Sequence, residues 1–86
     1  MTREEQIKEK LKEVFMDAIE VDPFEKDASY YENIYHRFIL DDLDIVELVM
    51  KMERYFHITL SEIEIENMKT MNIDKIVDFM CLKCSK

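Results

Sequence analysis

A chain of 86 residues with 20 acidic and 12 basic side chains, a formal charge of −8, no glycine and a single proline excludes several kinds of protein at once. The acidic balance disfavours nucleic acid and anionic membrane surfaces and suits basic patches on other proteins, while the missing glycine disfavours phosphate-cradling loops and glycine-dependent hairpins. What remains is an all-α fold in one domain, residues 1–86, with a modest core, because a chain this short buries only about 60% of its unfolded surface.

The first helix opens on a capping box, Thr2 and Glu5, in which each side chain satisfies a backbone amide of the other. Ile7, Leu11, Val14, Phe15, Ala18 and Ile19 then recur at helical spacing, and Val21, Asp22 and Pro23 end the helix, since proline supplies no amide hydrogen and disfavours helical geometry just before it. The segment Met1 to Lys12 is charged and lacks the apolar stretch of a secretory signal, and no apolar run approaches the roughly 18 residues of a membrane span. These features predict a cytoplasmic protein with reduced thiols and no membrane contact.

From Phe24 to Leu40 the pattern weakens into a long connection carrying Tyr30, Tyr31, Tyr35, Phe38, Ile39 and Leu40. Its apolar content predicts an aromatic lid across the open side of a bundle, with rings buried and tyrosine hydroxyls at the surface, and a short helical turn near Ser29 to Tyr35. His36 and Arg37 lie within this lid. The next helix, Asp41 to Phe56, has two apolar lines. Ile45, Leu48, Val49, Met52 and Phe56 form a core stripe, and Leu43, Val46 and Met50 lie on the neighbouring side. That second line is either covered by the aromatic connection or presented to a partner. Asp41, Asp42 and Asp44 fall where a helix start exposes unpaired amides and partial positive charge, and one of them caps. An EF-hand calcium loop does not fit, because its glycine and carboxylate spacing are missing.

A short helix follows Leu60, with Ser61 and Glu64 as capping box and Ile63, Ile65 and Met68 for apolar contact. A last helix starts after Asn72 and runs to about Cys81, with Ile73, Ile76, Val77 and Met80 on one face. The sum is a small bundle of three longer helices and one short one. Cys81-x-x-Cys84 has the spacing of half a zinc site or of a redox motif, but no second pair exists, so the two read as reduced thiols and no metal is expected. His36 and His57 are far apart and no nucleophile stands in an activating motif, so the protein is not expected to be an enzyme.

The run Asp41-x-Leu43-Asp44-x-Val46-Glu47-Leu48-Val49-Met50 closely resembles the helix that follows the attachment serine in acyl carrier proteins. Asp27-Ala28-Ser29-Tyr30 resembles the family's loop before the motif. Glu53, Phe56, Ile58 and Leu60 match its helix end and following loop, and Ile73 to Met80 resembles its last helix. A few extra residues lie between Ile34 and Asp41, and others near Met68 to Asn72. The resemblance implies an acyl-carrier-protein-like four-helix bundle. It also makes Asp42 the residue at the position of the phosphopantetheine serine, where a carboxylate is chemically unsuitable. The implied cofactor is therefore none as the chain stands, and 4'-phosphopantetheine if position 42 were serine.

On the same grounds Leu43, Asp44, Val46, Glu47 and Met50 are the implied partner-recognition residues, meeting basic surface patches of carrier-protein-dependent enzymes, with the domain a monomer. Two functions follow from the resemblance. One is an interaction module that keeps the recognition helix and holds no arm. The other is a working acyl or aminoacyl carrier of fatty-acid, polyketide or related synthesis whose serine has been altered.

Overall fold

The computed structural model describes residues 2–84. In chain order these form helices α1 (Arg3–Ile19), α2 (Ile34–Arg37), α3 (Asp42–Phe56), α4 (Glu62–Met68) and α5 (Ile73–Lys83). Helices α1, α3 and α5 are the three long ones. The short helix expected after Leu60 is α4, and α2 is a second short one, so the bundle has five helices where four were expected. The anticipated turn near Ser29 to Tyr35 lies later in the chain. Asn33 starts α2 by accepting the His36 amide at 2.8 Å, and Asp27 instead closes a turn by accepting both the Ser29 amide and its hydroxyl.

The helix starts follow the side-chain chemistry of the sequence. Thr2 with Glu5, Asp41 with Asp44, and Ser61 with Glu64 each form a complete capping box, and Asn72 caps α5 through the Lys75 amide at 2.9 Å. The ends do not follow it as well. Helix α1 stops at Ile19, before Pro23, because Glu20 turns left-handed at φ 57 and its amide bonds Met16 O at 3.1 Å. Ile39 and His57 take the same conformation after α2 and α3, at φ 52 and 55. With no glycine in the chain, three ordinary side chains occupy a position that glycine fills most readily. Helix α5 runs two residues beyond Cys81.

The core is a single cluster. Leu11, Val14 and Phe15 of α1, Leu48 and Met52 of α3, and Ile73, Ile76, Val77 and Met80 of α5 are all buried in it, and α3 and α5 both pack on α1. Tyr30, Ile34 and Leu40 from the long connection join the same cluster, with Tyr35 and Phe38 packed at its edge. The aromatic lid is therefore real but incomplete: Tyr31 and Ile39, expected within it, are exposed, and Ile63 of α4, expected to make apolar contacts, is 74% exposed.

Tyr30 shows how the lid is fastened. Its ring is buried and its hydroxyl donates to Asp74 Oδ1 at 2.8 Å. Burial, reinforced by that hydrogen bond, pushes the phenol up to about 12. A phenol with a raised folded-state value contributes stability that is present below its ordinary value near 10 and is lost as pH rises through the folded value. Urea midpoints are expected to fall between pH 10 and 12, and Tyr30→Phe to lose less over that interval. Tyr55, raised by its bond to Asp17 at 3.1 Å, accounts for part of what remains.

The connection is also held by Arg37, whose side chain is 2% exposed. Its guanidinium donates to Pro23 O at 2.7 Å and Glu25 O at 2.6 Å and lies over the rings of Tyr30 and Phe38, at 5.0 and 4.6 Å from their centroids. A second tie runs from the Ile34 amide to Met71 O at 3.0 Å, joining α2 to the turn between α4 and α5. Together these place Asp41 and the start of α3.

Candidate partner-recognition site at the start of α3

Three aspartates open α3 and each has a different position. Asp41 is the N-cap: its Oδ1 accepts the Asp44 amide at 2.8 Å, and Asp44 Oδ2 accepts the Asp41 amide at 3.2 Å. Asp44 is thereby partly buried and occupied in the fold. Asp42 is the first residue of the helix proper and is exposed. Of the three aspartates expected to supply the cap, Asp41 supplies it and Asp42 does not. What Asp42 retains is a negative charge in the first turn, where it opposes the partial positive charge of unpaired amides.

The charge at position 42 also acts on Lys69. Lys69, the residue closing α4, bonds Glu66 at 2.8 Å, and that bond chiefly holds its ammonium above the usual lysine range, with Asp42 adding to the effect. No sequence reading pointed to Lys69. A cation one turn from Glu66 reads simply as a surface pair, and only the folded chain brings its charge within reach of Asp42.

The second apolar line is open to solvent. Leu43 is 76%, Val46 52% and Met50 51% exposed, so the aromatic connection does not cover them. Leu43, Val46 and Met50 follow the three-and-four spacing of one helix face, and Glu47, also exposed, falls four residues after Leu43 on that face. Among the described residues Glu47 has no ion-pair partner, whereas Lys51, one turn further along, is tied to Asp17 of α1 at 3.1 Å. The surface is apolar in its middle and anionic at its edge.

The other sequence candidates lie elsewhere. His36 is in α2 and His57 caps the far end of α3, so the two do not converge. Cys81 and Cys84 are free, partly buried thiols at the end of α5, and burial pushes the Cys81 thiol up. Among the described residues no three His, Cys, Asp or Glu side chains are gathered so as to hold a metal. Nor is any helix long and apolar enough to cross a membrane. The concavities are open clefts at the surface, such as that lined by Arg3, Ile7, Lys10, Phe56 and Cys84.

Comparison with known proteins fits this geometry. The chain is 36% identical over 73 residues to the acyl carrier protein of Petrotoga mobilis, covering 83% of this chain and 80% of that protein. It is 36% identical over 78 residues to the acyl carrier protein of Thermosynechococcus vestitus, covering 87% and 88%. This chain belongs to the acyl carrier protein family. The acyl carrier protein of Amoebophilus asiaticus agrees at 31% identity over 75 residues, 87% of this chain and 89% of that one. No protein-family model matches the chain, and no solved structure matches it. As a member of the acyl carrier protein family, the chain keeps the helical architecture, with α3 the helix that Asp41 caps and whose first turn carries Asp42 and Asp44.

Proposed function

We infer that this chain is an acyl-carrier-like interaction module: it presents the recognition helix of its family to partner proteins and carries no phosphopantetheine arm. The observation that carries this reading is the pairing of an uncovered apolar line, Leu43, Val46 and Met50, with a carboxylate at position 42. By the resemblance, Asp42 occupies the place of the attachment serine.

The residues present do not fit 4'-phosphopantetheine. A serine hydroxyl attacking the pyrophosphate of coenzyme A gives a durable phosphodiester. A carboxylate attacking the same phosphorus gives a mixed anhydride, which water cleaves. Among the described residues no other serine or threonine hydroxyl takes its place. Ser29 bonds Asp27, Ser61 caps α4, and Thr70 donates to Asn67 O. Thr59 lies in the loop after α3, and Ser85 lies outside the described residues.

Leu43, Asp44, Val46, Glu47 and Met50 are the proposed recognition set, and basic patches on carrier-dependent enzymes are the proposed partners. Charge of this density speeds encounter and fixes register more than it adds affinity. Asp44 acts through the capping box, and Glu47 is the free carboxylate of the set. The domain works as a cytoplasmic monomer and is not an enzyme.

Incubation with coenzyme A and a permissive phosphopantetheinyl transferase, read by intact mass, tests the reading. The unaltered chain is expected to keep its mass and Asp42→Ser to gain one arm. An adduct on the unaltered chain would sink the interaction-module reading. Because Asp41 is the cap, Asp42→Ser leaves the fold in place, and its melting temperature is expected to stay within a few degrees of the parent.

A further inference from the structure

Ile39 is the most exposed large apolar side chain among the described residues, at 88%, and it sits at φ 52. The loop around it leaves little choice. The Ile39 amide bonds His36 O at 3.3 Å and the Leu40 amide bonds Tyr35 O at 2.9 Å, the paired bonds that close a helix through one left-handed residue. Leu40 is buried and Phe38 packs against the core, so Ile39 alone is turned outward. For this conformation a β-branched residue is the least suitable kind, while glycine or asparagine closes a helix with less strain. The fold gains nothing from the isoleucine side chain, which touches solvent. Strain of this sort is held where a function uses it.

We propose that Ile39 is a recognition residue, an apolar knob that enters an apolar socket on a partner protein whose rim carries lysine or arginine. The inference rests on the reading that the start of α3 meets partner proteins, and it extends that surface to a side chain outside α3, three residues before Asp42. The chemistry of the occupant follows from charge. Asp41 and Asp42 are exposed beside the knob, Glu47 lies further along α3, and the chain as a whole carries −8. A second copy of the chain would bring like charges together, and an anionic lipid surface would do the same. A cationic rim around an apolar socket is complementary to both features.

The test uses a permissive phosphopantetheinyl transferase as the binding probe, with the dissociation constant measured by calorimetry for the otherwise unaltered chain, for Ile39→Asn and for Ile39→Gly. Both variants accept the left-handed conformation, so neither asks the backbone to move. Each is expected to weaken binding at least fivefold while the melting temperature holds or rises by roughly a few degrees. Unchanged affinity in either variant overturns the proposal, and so does the absence of measurable binding by the unaltered chain. A melting temperature lowered by more than a few degrees in both variants also overturns it, by making Ile39 a packing residue. Sedimentation that shows a dimer lost on Ile39→Asn would assign the socket to a second copy and contradict the partner named here. Arm transfer to Asp42→Ser, measured separately, reports on the reading of position 42 independently of these outcomes.

Discussion

Replacing Arg37 by alanine is expected to remove roughly 2–4 kcal/mol of unfolding free energy, the largest loss from any single polar side chain in the described structure. The guanidinium is 2% exposed and donates to two carbonyls, Pro23 O and Glu25 O, that would be left without it. Hydrogen bonds to charged groups contribute about 1.5–3 kcal/mol, and placement over two aromatic rings adds about 0.5–2 kcal/mol. Against this, the Nε has no hydrogen-bond partner and Asp27 reaches the guanidinium only at 3.9 Å, so the site is not ideally satisfied. A domain of this size has a total stability of about 4–13 kcal/mol, so the loss is a large fraction of the whole.

Arg37→Lys is expected to recover only part of the loss, because a point charge serves one carbonyl and lacks the planar face that stacks on Tyr30 and Phe38. Urea unfolding of the three chains checks this. An Arg37→Ala value within about 0.5 kcal/mol of the parent would show that the connection holds without the clamp. The functional consequence is local. Loss of the clamp frees residues 24 to 40, which set where α3 begins and therefore where Asp42 and Leu43 are displayed.

Much of this is legible in the sequence alone. The core stripes of α1 and α3 follow from their spacing, and the caps Thr2, Ser61 and Asn72 from residue type, because both signals are local and repeat. What escaped depended on packing. Arginine is almost always a surface residue, so nothing in a sequence marks Arg37 as the one enclosed by Tyr30, Phe38 and two carbonyls. The left-handed closures at Glu20, Ile39 and His57 escaped, although α3 ends at Phe56 as its pattern predicts, because such closure is normally signalled by glycine and this chain has none.

In the site, the apolar line Leu43, Val46, Met50 was visible as an excess, but periodicity alone could not say whether the connection covered it. The choice of cap among three aspartates depended on where the preceding loop delivered the chain, which Leu40 and Arg37 decide. Ile63, which the sequence pattern makes an apolar contact, is exposed, since a helix as short as α4 offers too few turns for its pattern to distinguish faces.

The largest functional effect is expected from the triple change Leu43→Ala, Glu47→Lys, Met50→Ala. All three side chains are exposed, so truncation removes contact area without opening a cavity, and the melting temperature is expected to move by no more than a few degrees. Two apolar anchors at the centre of an interface, each costing about 1–2 kcal/mol on truncation, and one reversed charge at its edge together predict a loss of binding of about 100-fold or more. The reversed charge also acts against the basic rim, so the variant is repelled as well as less attractive.

The direct measurement is an affinity pull-down with the unaltered chain beside this triple variant, at matched stability. Proteins retained by the unaltered chain and absent from the variant are the predicted result, obtained with no arm on either. Retention of the same proteins by both would show that α3 is not the surface that partners read.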